Sequence, residues 1–152
     1  AHSTAYQQRA AAYIDQLNVI DNYIRSQVAL IPPASRKLIT DHEMLTYFAA
    51  EYDFELIGAL IPAASTSASA SPGDLAALIE LIQQENVPAI FISASAGQGI
   101  QRLADSLTRE TGLSLRVVPL LTGALASPGQ PGDTYLGYLR YNIDQIVSAL
   151  SG

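Results

Sequence analysis

Four short apolar runs, each followed by a stretch with helical spacing, constrain this chain more than any other feature. They are KLIT at 37–40, FELIGALI at 54–61, VPAIFI at 87–92 and SLRVVPLL at 114–121. Runs this short, rich in Ile, Val and Leu, suit strands, and 87–92 is apolar at every position, as a strand covered on both faces requires. Strands that alternate with helices specify a parallel sheet with helices on its two faces, joined by right-handed crossovers. The expectation is an α/β fold of three layers, with a four-stranded parallel sheet flanked by helices.

A long helix precedes the first strand. Residues 3–30 contain neither glycine nor proline, and Tyr6, Ala10, Tyr13, Leu17, Ile20, Ile24 and Val28 recur at spacings of four and three. That is one apolar stripe on a single helix of roughly 40 Å. Ser3 or Thr4 supplies a cap, and Pro32-Pro33 ends the helix by removing amide donors. Two roles stay open for it: an amphipathic helix packed on the sheet, or one that also braces a second domain. The remaining helices have clear punctuation. One carries residues 44–52. Another opens on Ser71-Pro72-Gly73-Asp74, with serine at the N-cap, proline at N1 and a carboxylate at N3. A third, at 100–111, stops at Gly112. The last starts at Asp133 or Thr134, with apolar positions that include Tyr135, Leu139, Ile143, Ile146, Val147 and Leu150. Residues 62–71, PAASTSASAS, read as a surface loop, because the strand–helix rhythm continues unbroken on both sides.

Composition excludes some classes of function. Among 152 residues, 49% are hydrophobic and 14% charged, which fits one domain with a sizeable core. The net charge is −6, with Lys37 the single lysine beside seven arginines, so the basic stripe of a nucleic-acid binder is missing. No apolar run approaches the ~20 residues of a membrane span. With no cysteine, disulfides and thiolate metal sites are excluded. Ala1-His2-Ser3 is not a translation start, so the chain is expected to be a piece of a longer protein.

Three joints fall at the carboxyl ends of strands, where open α/β sheets hold ligands. They are Asp41-His42-Glu43, Ser93-Ala94-Ser95 and Thr122-Gly123. His42 is one of only two histidines, the other being His2 at the chain's start. It is the first residue to suspect of holding a metal or moving a proton, although it also fits a histidine bonded to a nearby carbonyl. A hydrolase would use Ser93 or Ser95 with His42 and Asp41. However, the G-x-S-x-G elbow is absent, and Asp41 adjoins His42, a poor placement for orienting its ring. Gly97-Gln98-Gly99 is half of a dinucleotide fingerprint, with Arg102 where the third glycine belongs, and no phosphate-binding loop is present. One histidine flanked by two carboxylates falls short of the four ligands of a closed zinc site.

The ordered set of segments resembles the carboxyl-terminal lobe of the zinc- and manganese-type substrate-binding proteins of bacterial ABC transporters, the cluster A-I, TroA-like family. The opening helix, with Tyr13, Leu17 and Asp21, looks like that family's rigid helix between two lobes. LITDHEMLTYFAAEYDFELIG resembles its T-x-H-x-A-x-x-Y-F-x-x-x-Y-G unit, and SPGDLAALIELIQQENVPAIF its third unit. GDTYLGYLRYNIDQIVSAL resembles its closing helix, with Tyr135, Arg140 and Asn142 in place. The resemblance implies a linking helix over 1–33 and a lobe over 34–152, with the amino-terminal lobe absent. It also implies metal bound between lobes, no enzymatic activity, delivery to a membrane permease, and an extracytoplasmic bacterial location.

Carried over, His42 matches the histidine of zinc-type members. The family's glutamate after the third strand falls at Ser93 and its aspartate after the fourth at Gly123, so both acidic positions are lost. With two histidines from the absent lobe, the site would hold three imidazoles, which suits zinc better than manganese. Asp41, Glu43, Ser93 and Gly123 remain as rim positions around His42. The competing expectations are another divalent metal in the same site, or a degenerate lobe that binds a different ligand, a protein partner or no metal.

Overall fold

Strands β1 (Lys37–His42), β2 (Glu55–Ile61), β3 (Ala89–Ser93) and β4 (Arg116–Leu120) pair in parallel in the order β2-β1-β3-β4. They come from a computed structural model that describes residues 3–61 and 71–151. His2 and most of the small-residue loop expected at 62–71 lie outside those residues. Among the described residues there are five α-helices, α1 (Ser3–Val28), α2 (Thr46–Glu51), α3 (Pro72–Glu85), α4 (Gln98–Thr111) and α5 (Tyr135–Leu150), and one 3-10 turn at Pro33–Ser35.

Alternation along the strands divides the core in two. Leu38, Ala89, Phe91, Val118 and Leu120 pack with Ile20, Ile24 and Val28 of α1 and with Ile143, Ile146 and Leu150 of α5. On the other face Ile39, Ile90 and Ile92 pack with Leu78 and Ile82 of α3 and with Ala104 and Leu107 of α4. The result is the expected three layers, with β3 buried at every position. A Cβ at Gly58 of β2 would come within 2.8 Å of Leu78 Cδ1, so a larger residue there would require the Leu78 side chain to shift.

Local signals set the helix ends. Ser71 accepts from the Asp74 amide at 3.2 Å and Asp74 accepts from the Ser71 amide at 3.0 Å, a closed capping box. Thr134 caps α5, and Gly112 ends α4 with a left-handed φ of 68°. Helix α2 begins at Thr46, later than the residue 44 its pattern indicated. Leu45 takes a left-handed φ of 65° just before it, and its side chain packs against the first core.

The apolar stripe of α1 is only half buried. Ile20, Ile24 and Val28 are in the core, whereas Tyr6 is 65% and Tyr13 44% exposed. Helix length explains this. At 26 residues α1 spans about 39 Å, while α5, its 16-residue neighbour, spans about 24 Å. The stripe therefore continues beyond what the lobe covers. Tyr135, an apolar position of the last helix, is also half exposed, at the first turn of α5.

Polar contacts fasten the buried half of α1. Asp21 accepts from the Tyr52 hydroxyl at 2.8 Å and from Arg25 Nε at 3.0 Å, and Arg25 also reaches Glu51. Tyr23 donates to Asp144 of α5 at 2.6 Å, while the Arg140 guanidinium lies 3.8 Å from the Tyr23 ring centre. Between α5 and the end of β4, Asn142 accepts from the Leu121 amide and donates to the Leu121 carbonyl, both at 2.8 Å. No buried side-chain nitrogen or oxygen among the described residues lacks a partner.

Burial first, and the bond to Asp21 second, push the Tyr52 hydroxyl up to about 12. A folded-state pKa above the ordinary 10.0 means that Tyr52 contributes fully below pH 10, and that this contribution fades as pH rises to about 12. Tyr52→Phe should lower the urea midpoint at neutral pH, and the gap from the unsubstituted chain should close over that alkaline window. A constant gap would show that the fold does not hold the Tyr52 hydroxyl protonated above its ordinary range.

Candidate metal-binding rim

The strand order contains one reversal. From β1 the chain moves outward to β2, then returns to place β3 on the opposite side of β1. The loops leaving β1 and β3 therefore diverge, opening a crevice at their carboxyl ends. Asp41, His42 and Ser93 all stand at that point.

Asp41 holds the crevice together. It is 2% exposed, and its Oδ2 accepts from the Ser93 amide at 2.9 Å, joining the end of β1 to the end of β3. Its Oδ1 accepts from the His42 amide at 3.0 Å and stands 2.9 Å from His42 Nδ1. Adjacency in sequence suggested that Asp41 was badly placed to influence the ring. The ring nonetheless turns back onto the carboxylate, in a close contact rather than an aligned hydrogen bond. Thr40 Oγ1 donates to the His42 carbonyl at 2.9 Å and steadies the same turn. The His42 side chain is 39% exposed, with its Nδ1 edge against Asp41.

Ser93 is 7% exposed and its hydroxyl is fully engaged. Ser93 Oγ accepts from Thr122 Oγ1 at 2.7 Å and from the Ser95 amide at 3.2 Å. Its own proton is left for Ser95 Oγ, 2.8 Å away. This hydroxyl cluster, with the Ala94 amide bonded to the Leu120 carbonyl at 2.7 Å, ties the end of β3 to the end of β4. An oxygen with both lone pairs and its proton committed is neither a nucleophile nor a free metal ligand. No hydrogen bond joins it to His42, so the serine, histidine and aspartate form no relay.

The other rim positions diverge. Glu43 is exposed and lines a groove of about 370 Å³ with Thr40, Met44 and Thr46, in which His42 takes no part. Gly123 is exposed at φ 74°, next to Thr122, and borders a hollow of about 240 Å³ with Leu125, Tyr135 and Tyr138. Among the described residues, no three His, Cys, Asp or Glu side chains gather closely enough to hold a metal. This part of the rim thus offers one imidazole nitrogen, neutral hydroxyls and a buried carboxylate behind them. The sequence names the joints, but the Asp41–Ser93 link depends on β1 and β3 being neighbours, which no local pattern records.

Over residues 1–149 the chain matches the family described as ZnuA, zinc-uptake complex component A, periplasmic. It is 33% identical over 147 residues to the zinc-binding protein TroA of Treponema pallidum (strain Nichols), covering 96% of this chain and 47% of that protein. It is 29% identical over 150 residues to the manganese-binding lipoprotein MntA of Bacillus subtilis (strain 168), covering 98% and 48%. The solved periplasmic zinc-binding protein TroA of Treponema pallidum superposes with a TM-score of 0.85 over 98% of this chain and 53% of that one, at 33% identity. A manganese-bound periplasmic metal-binding protein from Candidatus Liberibacter asiaticus shares the fold, with a TM-score of 0.79 at 23% identity. The chain spans about half the length of the curated relatives it matches.

A serine held in this way should not react with a fluorophosphonate probe. Mass spectrometry after incubation should find Ser93 and Ser95 unmodified, and labelling of either would restore the hydrolase.

Proposed function

The chain belongs to the zinc-uptake component A family and corresponds to the carboxyl-terminal lobe of its members, and on that premise we propose that it captures a divalent metal ion, zinc before manganese. It does so as one lobe of an extracytoplasmic substrate-binding protein that hands the ion to an ABC permease. The observation that carries this reading is His42, a part-exposed imidazole at the crevice between β1 and β3, backed by a buried carboxylate. The other lobe completes the coordination shell.

Preference for zinc follows from the donors. Imidazole suits zinc, whereas manganese favours carboxylate and other oxygen ligands. Glu43 lies apart from the ring, the Asp41 oxygens are engaged inside the lobe, and Ser93 is spent on its neighbours. Gly123 stands where the family resemblance implies an aspartate, so the ion meets neutral groups on this side. Capture involves no bond chemistry. The ion exchanges water for protein ligands, and its release returns the water. The names of the relatives, zinc-binding, manganese-binding and lipoprotein, support both the cargo and a site of action outside the cytoplasm.

Calorimetric titration tests the reading. The chain alone should bind zinc more weakly than micromolar, because one imidazole gives little affinity without partners. A two-lobed parent carrying it should bind tightly at one ion per protein and lose that binding in His42→Ala. Gly123→Asp should raise manganese affinity in the parent more than zinc affinity. Sub-micromolar zinc binding by the chain alone, or an unchanged His42→Ala parent, would contradict the shared site.

A further inference from the structure

We propose that Asp41 is a positioning residue that fixes the His42 imidazole as its Nδ1–H tautomer, leaving the Nε2 lone pair for the ion. The inference rests on the metal-capture reading and deepens it by naming the ligating atom and the group that sets it.

The argument starts from what surrounds the carboxylate. Asp41 is 2% exposed, and its neighbours at the strand ends are N–H groups: the Ser93 amide on Oδ2 and the His42 amide on Oδ1. His42 Nδ1 lies 2.9 Å from the same Oδ1. The oxygen stands beside Nδ1 and not in line with its N–H, so the discrimination is one of proximity: negative charge 2.9 Å away disfavours a lone pair on Nδ1 and favours a proton there. Free neutral histidine prefers the opposite tautomer, with the proton on Nε2, so the protein has to impose this choice. Once Nδ1 carries the proton, the acceptor lone pair sits on Nε2, at the ring edge away from Asp41. The side chain as a whole is 39% exposed.

A carboxylate behind a ligating imidazole also raises the basicity of the ring and holds its plane. Here the carboxylate is itself fixed, because its second oxygen is tied to β3. Ring orientation therefore depends on the β1–β3 crevice staying intact, and the ion would sense the sheet through two atoms of Asp41. A purely structural role for Asp41, joining β1 to β3, would predict lost stability on substitution with the tautomer unmoved.

Long-range proton–nitrogen correlation spectra of the imidazole-labelled chain, near neutral histidine at about pH 8, read the tautomer without any metal. A His2→Gln variant assigns the His42 signals. The unsubstituted chain should show a protonated Nδ1 and an unprotonated Nε2. In Asp41→Asn the amide presents an N–H to one of its two former donors, and the His42 signals should move toward the Nε2–H form. Zinc affinity, followed on those signals, should fall about 10–100-fold. Thr122→Val loosens the same rim without touching Asp41 and should keep the tautomer. An Nε2–H tautomer in the unsubstituted chain overturns the proposal, and that spectrum decides even where Asp41→Asn does not fold. An Nδ1–H tautomer that persists in folded Asp41→Asn overturns it as well. If Asp41 sets the tautomer but zinc leaves the Nε2 signal unmoved, positioning stands and the metal-capture reading fails.

Discussion

A buried carboxylate needs donors on both oxygens, and the way Asp41 finds them organises this lobe. One oxygen takes the Ser93 amide across the sheet. The other takes the His42 amide and stands against its ring. These contacts exist only because β1 and β3 are neighbours on either side of the reversal in strand order. Removing Asp41 would leave a buried amide at Ser93 without its acceptor, a loss of about 1–3 kcal/mol. It would also leave the single imidazole of the rim without a fixed backing. Fold and site therefore share one side chain.

The second consequence concerns charge. The carboxylate closest to the crevice is turned inward, and the positions facing outward at the ends of β3 and β4 carry hydroxyls or no side chain at all. Thr122, Ser93 and Ser95 form a closed cluster that supports the backbone and presents little to a ligand. A hard cation gains little from such a surface, while an ion that accepts nitrogen donors gains a preset one. The exposed length of α1, with Tyr6 and Tyr13 in line with the buried Ile20 and Ile24, extends past the body of the lobe. Contacts from Asp21, Arg25 and Tyr23 tie its other half to α2 and α5.

Much of the architecture is legible in the sequence because its signals are local. Ser71-Pro72-Gly73-Asp74 closes the capping box it spells, Gly112 ends α4, and the wholly apolar run at 87–92 overlaps the buried strand β3. The misses have physical causes of a longer range. The pattern started α2 too early because Leu45 gives up helical backbone to pack its side chain in the core. Two roles stay open for the α1 stripe because periodicity records a face but not the length of what covers it. At the rim, residue types at the strand ends are readable, but their connections are not. Adjacency makes Asp41 a poor group to orient the His42 ring, and the contact at Nδ1 is indeed close but not an aligned hydrogen bond. What the sequence cannot show is the Asp41 link to Ser93, 52 residues away.

The central claim is that His42 presents one nitrogen, Nε2, as this lobe's hold on the ion. Crystals of the chain soaked in zinc, measured on both sides of the zinc absorption edge, test it most directly. The account predicts an anomalous peak about 2.0–2.1 Å from His42 Nε2, with Asp41 still against Nδ1. A peak on Nδ1, or zinc bound elsewhere on the rim with His42 free, would contradict it.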